Sequence, residues 1–398
     1  MNRSKEQFIK KQSELLFEKV VGYRQHLHTY PELSYEEHQT MQYISEQLAK
    51  IGIPHETQVA GTGVIAMIRG EHHSKNQACI GLRADIDALP IQEENEVEFS
   101  SKNKGIMHAC GHDVHTSILL GTAEILNGIK NELPHPVKLI FQPGEEKNPG
   151  GASWMIEAGC LENPKVFKMY GLHSAPEIPV GKIGTREGLF MASADEIYID
   201  VIGKGGHGAR PHEAIDSILI AAEIVTSLQK IVSRNTDPTL PCVLTFGHFE
   251  AIGATNIIPE KVHLKGTFRA MNEIWRNQAL IQIEKQAKLI AEAHGAKAEI
   301  EISRGYPFLK NDIETTQKFV KQAEQWLGKN NVDTNIPLRM GAEDFSFYAQ
   351  KIPTCFFRLG VRNESKGIIH GLHTPKFNID NQSLKIGMQM MALCGMIQ

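Results

Sequence analysis

The sequence predicts an α/β protein whose catalytic domain is a mixed sheet with helices on both faces, interrupted by a smaller α+β domain. Residues 78–85 and 137–142 are continuously apolar at their centres, which is typical of strands covered by helices on both sides. A helical pattern at 112–127 separates these two strands, and such alternation of strand and helix indicates an α/β layer. Residues 196–201 instead alternate with period two, which predicts a sheet buried on one face only.

Length and composition are those of an ordinary globular protein with two domains. The chain has 398 residues, of which 41% are hydrophobic and 22% are charged, which excludes a disordered chain, a collagen-like repeat and a coiled coil. The net charge is −4, and the sequence has no long run of charges of one sign. The sequence therefore does not predict the basic surface that nucleic-acid binding needs. Its apolar runs are too short for a membrane span, and its start lacks the apolar core of a signal peptide. We therefore expect a soluble, cytoplasmic protein without a membrane partner.

The first 50 or so residues predict two helices, separated by a break at Tyr30 and Pro31. Ser34 and Glu37 have the spacing of a capping box before the second helix. In such a box, the two side chains accept hydrogen bonds from free amides at the helix start.

The remaining elements follow from periodicity and fall into three groups. In the first part of the chain, strands are predicted at 63–68, 78–85, 137–142 and 166–172, and helices at 112–127 and 152–158. The middle part predicts strands at 196–201, 243–249, 262–268 and 298–302, and helices at 214–231 and 273–293. The last part predicts helices at 314–327 and 381–396 around a strand at 355–360. The simplest division is a catalytic domain at 1–183 and 298–398 with a ferredoxin-like domain inserted at 184–297.

Cys110 and His112 flank a glycine at the point where the 112–127 helix begins. Both side chains can therefore turn toward one point. A thiolate and an imidazole so placed suit borderline-soft divalent metals.

Glu145 and Glu146 follow a predicted buried strand, and His173 ends another. Adjacent glutamates point in different directions, so one can bind a metal while the other acts on a water. Buried carboxylates without a cation would be destabilised as charges, and a metal would neutralise them. His373, near the other end of the chain, is a further candidate ligand.

A thiol nucleophile is the main alternative at this position, because Cys110 beside His112 also fits a Cys–His pair. It ranks second because it gives no function to Glu145, Glu146, His173 or His373. The sequence contains neither a Gly-x-Ser-x-Gly elbow nor a His-Glu-x-x-His helix.

The motifs resemble a known family, the amidohydrolase branch of the di-metal aminoacylase and carboxypeptidase-like peptidases. The resemblance runs nearly end to end. It rests on the motifs HACGHDVH, FQPGEE, YGLHSAP, GKGGHGARPH, FGHFEAIGATNIIP and GAEDFSFY.

The resemblance implies a site for two divalent metal ions. Cys110 matches the bridging ligand, Glu146 and His373 match the remaining ligands of one metal, and His112 and His173 match those of the other. These assignments come from the matching motifs alone.

The resemblance also implies roles for side chains that do not bind the metals. Glu145 matches the general base, and Asp85 matches a carboxylate that orients a ligand. In the inserted domain, His207 matches a histidine that stabilises the oxyanion, and Asn256 and Arg269 match residues that reach the substrate.

One residue departs from the peptidase branch of the family. Arg83 stands where that branch has a metal-binding histidine. This departure is usual in the amidohydrolase branch, and it argues against a plain aminopeptidase.

The expected reaction is metal-dependent hydrolysis of an N-acyl amino acid or a related small amide. A dipeptidase or carboxypeptidase on the same scaffold and a non-catalytic metal- or amino-acid-binding protein stay open as alternatives. The donor set admits Zn, Mn, Co or Ni. The resemblance further implies a homodimer formed through the inserted domain.

Overall fold

The computed structural model describes residues 3–397. Within them the α-helices are α1 Arg3–Leu15, α2 Phe17–Thr29, α3 His38–Ile51, α4 His112–Gly128, α5 Gly151–Glu157, α6 Ser217–Lys230, α7 Glu273–Ala293, α8 Ile313–Leu327, α9 Ser346–Ala349 and α10 Gln382–Cys394. The strands are β1 His55–Val59, β2 Gly63–Ile68, β3 Cys79–Asp85, β4 Val137–Gln142, β5 Val166–Pro179, β6 Ile183–Gly184, β7 Gly188–Met191, β8 Asp195–Ile202, β9 Gly206–His207, β10 Cys242–Ala251, β11 Ile257–Ile258, β12 Lys261–Ala270, β13 Lys297–Arg304, β14 Leu309–Asn311, β15 Val332–Asp333 and β16 Thr354–Arg362.

Backbone contacts divide the chain into two compact units. The first contains residues 3–188, 310–337 and 347–397. The second contains Leu189–Leu309 and Leu338–Ser346. The second unit thus includes residues on both sides of the boundary predicted at 297, and the division into domains at 184–297 stays a prediction.

An eight-stranded mixed sheet forms the centre of the first unit, in the order β1-β2-β4-β3-β5-β16-β6-β15. Strand β3 runs parallel to both β4 and β5, and β5 runs parallel to β16. Every residue of β3 and β4 is buried, as the apolar centres of these strands predict. The carboxyl ends of these parallel strands meet at one edge, where open α/β sheets carry their sites.

Helices cover both faces of this sheet. On one face, Phe319 of α8 stacks on Phe357 of β16 with ring centroids 4.6 Å apart. Helices α4 and α10 complete the same apolar core. On the other face, Met155 of α5 reaches Gly63, where an added Cβ would lie 2.7 Å from the methionine sulfur. The predicted α/β class with a mixed sheet is confirmed.

The second unit contains a four-stranded antiparallel sheet in the order β10-β12-β8-β13. Alternate residues of β8, such as Ile197 and Ile199, are buried against an apolar core that includes Ile224 of α6 and Ile283 of α7. In chain order the elements are β8, α6, β10, β12, α7 and β13. This is the predicted strand–helix–strand–strand–helix–strand succession.

The capping box predicted at Ser34 and Glu37 is wrong. The amides that begin α3 instead donate to the carboxylate of Glu32, with Gln39 N and Thr40 N at 3.1 and 2.8 Å. Ser34 and Glu37 are buried, and their side chains bond to distant segments of the chain. Local spacing fits a cap, but burial brings better-placed polar partners within reach.

The first part of the chain also differs from the sequence prediction. The first predicted helix is two helices, α1 and α2, which are interrupted at Leu16. Strand β1 was not predicted, because its sequence HETQV has no apolar alternation. None of the helices within residues 3–397 combines the length and the apolar character that a membrane span requires.

Candidate metal centre

Polar side chains collect at the carboxyl edge of the eight-stranded sheet in the first unit. Asp85 ends β3, Glu145 and Glu146 follow β4, and His173 lies on β5. Because these strands are parallel neighbours, their ends bring groups that are distant in sequence to one place.

Cys110 lies at the centre of this cluster. Its Sγ is 3.4 Å from Nε2 of His173 and 3.2 Å from Nε2 of His373. Two groups of three potential ligands share this sulfur, one with His112 and His173 and the other with Glu146 and His373. Within each group the ligand atoms lie within 4.8 Å of one another.

Local backbone geometry brings Cys110 and His373 together. Gly111 adopts a φ of 86° just before α4, and an added Cβ there would lie 2.9 Å from Ser174 Oγ, so this position requires glycine. His373 has a φ of 59°, and its amide donates to the carbonyl of Ala109 at 2.9 Å. The chain thus holds His373 directly beside the cysteine.

His112 is fully buried, and its two ring nitrogens face different partners. Nδ1 donates to Oδ1 of Asp87 at 3.1 Å. Nε2 lies 3.8 Å from Oε1 of Glu146 and 4.0 Å from Oε2 of Glu145. This nitrogen is buried without a hydrogen-bond partner among the described residues, as fits a ring nitrogen that would bind a metal.

Asp85, predicted to orient a ligand, makes its hydrogen bonds elsewhere. Its carboxylate accepts from Arg83 at 2.7 Å and from Nδ1 of His115, and it lies 3.7 Å from Nε2 of His112. The carboxylate that bonds the other nitrogen of His112 is that of Asp87. Arg83 also bonds to an amide oxygen, because its Nε donates to Oε1 of Gln142 at 2.9 Å.

Asp87 and His115 are site residues that lie in the same segments as predicted ones but to which sequence reasoning assigned no role. His115 follows His112 by one helical turn, so the two rings share a face of α4, and this spacing was a usable signal. Its Nε2 accepts from the amide of Ser174 at 2.8 Å, so Nδ1 carries the proton that is donated to Asp85. For Asp87, the only signal in the sequence is its position two residues after Asp85.

Electrostatics in the cluster oppose a thiol nucleophile. Burial, followed by repulsion from Glu146 and Glu145, raises the pKa of the Cys110 thiol well above its usual range. An activated cysteine needs the opposite shift. Burial opposes the charging of His112, but attraction to Asp85 and the hydrogen bond to Asp87 raise its pKa to about 10. A cation binding here must therefore displace protons from the thiol and the imidazole.

His207, Asn256 and Arg269 lie in the second unit. The first two are neighbours, because Gly208 donates its amide to the carbonyl of Asn256 at 2.8 Å. His207 is exposed, and its Nδ1 accepts from the amide of Ala209. Arg269 is half-buried on β12, and its Nε donates to Thr267 Oγ1 at 3.0 Å. Their predicted roles stay predictions.

Several known proteins are similar to this chain over most of its length. The N-acyl-L-amino acid amidohydrolase of Geobacillus stearothermophilus is 44% identical over 287 residues, which are 72% of this chain and 76% of the relative. Thermostable carboxypeptidase 1 of Saccharolobus solfataricus is 39% identical and matches over 92% of both chains.

A solved structure is similar in both sequence and fold. The YXEP protein of Bacillus subtilis, a dinuclear metal-binding peptidase of the M20 family, superposes with a TM-score of 0.80 at 33% identity. The match covers 96% of this chain and 98% of that structure. The model of peptidase family M20/M25/M40 matches residues 81–395. The chain belongs to this family.

Proposed function

We propose that the protein hydrolyses the amide bond of N-acyl amino acids or related small amides, and so releases a carboxylate and a free amino acid. The observation that carries the proposal is that Cys110 Sγ is shared by two groups of potential metal ligands, with the carboxylate of Glu145 beside them. The amidohydrolase of Geobacillus stearothermophilus, at 44% identity, supports N-acyl amino acids as the substrate class.

The donor set suits two divalent cations. Cys110, His112 and His173 would hold one, and Cys110, Glu146 and His373 would hold the other. The combination of sulfur, imidazole nitrogen and carboxylate oxygen fits Zn, Mn, Co or Ni. When bound, such cations lower the pKa of water from 15.7 toward ~7 and act as Lewis acids toward a carbonyl.

Glu145 is the residue that moves protons in this proposal. Its carboxylate removes a proton from the attacking water, whose oxygen forms a bond to the amide carbon. The carbon–nitrogen bond then breaks, and Glu145 returns the proton to the departing amine. His207 would donate to the oxyanion, and loss of such a donor raises the barrier by ~3 kcal/mol.

Substrate recognition is proposed for two residues of the second unit. Arg269 would bind the α-carboxylate of the substrate in a bidentate manner, and Asn256 would donate a further hydrogen bond. Replacement of Arg269 by Lys should raise KM more than it lowers kcat, because a single ammonium cannot reproduce the paired bonds.

Comparison of two substrate types separates this proposal from the second candidate, a dipeptidase or carboxypeptidase. The chain's 39% identity to a carboxypeptidase favours that candidate. Amine release is measured from N-acetyl and N-benzoyl amino acids and from unblocked dipeptides. Preferential cleavage of the blocked amino acids supports the amidohydrolase, and the reverse preference supports the peptidase.

Glu145→Gln tests the proposed base and also the non-catalytic alternative. The variant should lose turnover and still bind both cations, because the amide keeps the shape of the side chain but cannot accept a proton. Wild-type turnover in the variant would remove Glu145 from the mechanism. No turnover of any amide by the wild-type protein would favour the non-catalytic binding protein.

Assembly and location also belong to the proposal. A homodimer would form through the second unit, where β10 and β13 end the sheet and Leu219 of α6 is 65% exposed. Sedimentation at micromolar concentration should give twice the chain mass of 44.3 kDa, and a single-chain mass would contradict the dimer. A cytoplasmic location is proposed from the sequence.

A further inference from the structure

Three side chains from residues 34–37 support residues 143–151, the loop that carries Glu145 and Glu146. Two of them bond to the loop directly, and the third does so through Asp87. We call the first stretch the brace segment and the second the 143–151 loop. Ser34 donates to Oδ2 of Asp87 at 2.6 Å, and the same oxygen accepts from the amide of Glu146 at 2.9 Å. The brace segment thus reaches the backbone of Glu146 through Asp87.

Glu37 reaches the loop directly. Its Oε1 accepts from the amide of Gly144 at 2.9 Å, although 107 residues separate the two in sequence. Its other oxygen accepts from the hydroxyl of Thr62. The glutamate is fully buried, so both hydrogen bonds are shielded from water.

Tyr35 holds the same loop by its ring and its hydroxyl. The hydroxyl accepts from the amide of Gly150 at 3.1 Å and donates to the carbonyl of Lys147 at 2.6 Å. The ring lies so close to Gly144, whose φ is 58°, that an added Cβ would meet Cε1 of Tyr35 at 2.1 Å. The loop is also closed on itself, because Gly151 donates its amide to Gly144 O at 3.0 Å.

We propose that Glu37 is a positioning residue that fixes the carboxylate of Glu145 by holding the amide of Gly144. The proposal rests on the proposed function, in which Glu145 is the base. Gly144 is buried and immediately precedes Glu145. Without its acceptor, the Gly144 amide would be left buried and unsatisfied, and the loop would shift to find another partner. Misplacement of a reacting group by 1 Å can cost about 100-fold in rate.

Four variants of the full-length, metal-loaded protein test this proposal. Glu37→Ala removes the acceptor. Glu37→Asp keeps the carboxyl group but withdraws it by one methylene, whereas Glu37→Gln keeps an acceptor oxygen at the same reach on a group that does not titrate. Glu32→Ala is the matched control, because Glu32 lies two residues before the brace segment and accepts backbone amides of α3 rather than of the loop.

The readouts are kcat, KM, metal content and melting temperature. We expect Glu37→Ala and Glu37→Asp to lower kcat by about 100-fold with KM changed less than about threefold and metal content unchanged. Glu37→Gln should restore kcat to within about fivefold of wild type. Glu32→Ala should lower the melting temperature and keep kcat. Should Glu37→Ala not fold, the contrast between Glu37→Asp and Glu37→Gln still decides.

Wild-type kcat in Glu37→Asp or Glu37→Ala would overturn the positioning role, and so would a loss in Glu37→Gln as large as in Glu37→Asp. Failure of the proposed function is recognised separately by Glu145→Gln. If Glu145→Gln keeps its turnover, both proposals fail. If Glu145→Gln is inactive and Glu37→Asp is fully active, only the positioning role fails.

Discussion

At the scale of single residues, Asp87 connects two of the proposed metal ligands. One of its oxygens fixes Nδ1 of His112, which leaves Nε2 facing the cluster. The other accepts the amide of Glu146 and the hydroxyl of Ser34. A carboxylate that orients a ligand histidine in this way raises the basicity of the ring and fixes its tautomer.

We predict that Asp87→Ala weakens metal binding by about 10- to 100-fold, the usual cost of losing such a partner. Metal affinity is measured by competition with a chelating dye. Asp200→Ala is the matched control, because Asp200 also bonds a histidine, His263, but at a partly exposed place on the second unit. Equal affinity of the Asp87 variant and the wild type would contradict the orienting role.

Glu37 gives stability a dependence on pH. Burial, followed by repulsion from Asp87, raises the pKa of its carboxyl from 4.5 to about 7, against the hydrogen bond from Thr62. Between these two pH values the folded protein keeps a proton that the unfolded chain has lost. The free energy of unfolding therefore falls as the pH rises from about 4.5 to about 7.

Glu37→Gln removes this titration, so we predict that its stability relative to wild type rises between pH 5 and pH 8. The gain should be on the order of 2 kcal/mol. Denaturant unfolding of both proteins at the two pH values measures it, and the groups common to both proteins cancel. A stability difference that is the same at both values would show that Glu37 does not titrate in this range.

Residue types predicted the candidate ligands but not the side chains that hold them. Cys110 and His112 are recognisable because thiol and imidazole beside a glycine are unusual. Glu37 carries no such signal, and its spacing to Ser34 favours a cap. Its actual partner, the amide of Gly144, is brought near only by the tertiary fold.

At the scale of elements, the 143–151 loop is held more tightly than its sequence indicates. Gly144 has a positive φ and lies against the ring of Tyr35, so residue 144 has no room for a side chain. The position of Glu145 therefore depends on a glycine that takes no part in the chemistry.

We predict that Gly144→Ala lowers kcat by at least about tenfold, because the added Cβ must push the loop away from Tyr35. Gly52→Ala is the control. Gly52 ends α3 with a φ of 74°, and an added Cβ there would meet no neighbouring atom. Gly52→Ala should therefore lose only about 1 kcal/mol of stability, the cost of the left-handed backbone, and keep kcat. Steady-state kinetics and thermal unfolding compare the two. Similar kcat values in both variants would contradict the tight hold on the loop.

Elements with a clear apolar pattern are the most predictable. Helix Glu273–Ala293 and strands Gly63–Ile68 and Val137–Gln142 have the predicted bounds, because apolar periodicity over their whole length reflects burial of one face or both. Strand His55–Val59 has no such pattern. It is an edge strand of the sheet. Its extended conformation depends on pairing with β2 rather than on apolar residues of its own.

At the scale of the whole molecule, each unit has its own apolar core, and the proposed ligands all belong to the first unit. Five ligands come from segments as far apart as residues 110 and 373. Cations held by them would connect these segments in the folded state only, and binding to the folded state stabilises it.

We predict that chelation lowers the melting temperature of the wild-type protein. The stabilisation that is lost would be about 4 kcal/mol at a free metal concentration 1,000 times Kd. Cys110→Ala should melt at the same temperature with and without chelator. Cys242→Ala, which changes a half-buried cysteine of the second unit, should keep the wild-type response. A response in Cys110→Ala equal to that of wild type would remove the sulfur from the metal site.

Cys110 Sγ is proposed to join two cation sites. Anomalous diffraction from crystals grown with zinc tests this arrangement most directly. We predict two anomalous peaks, both at about the 2.3 Å typical of a zinc–sulfur bond from Cys110 Sγ. One should also contact His112 and His173, and the other Glu146 and His373. Peaks that lie elsewhere, or a single peak away from the sulfur, would contradict a sulfur shared by two cations.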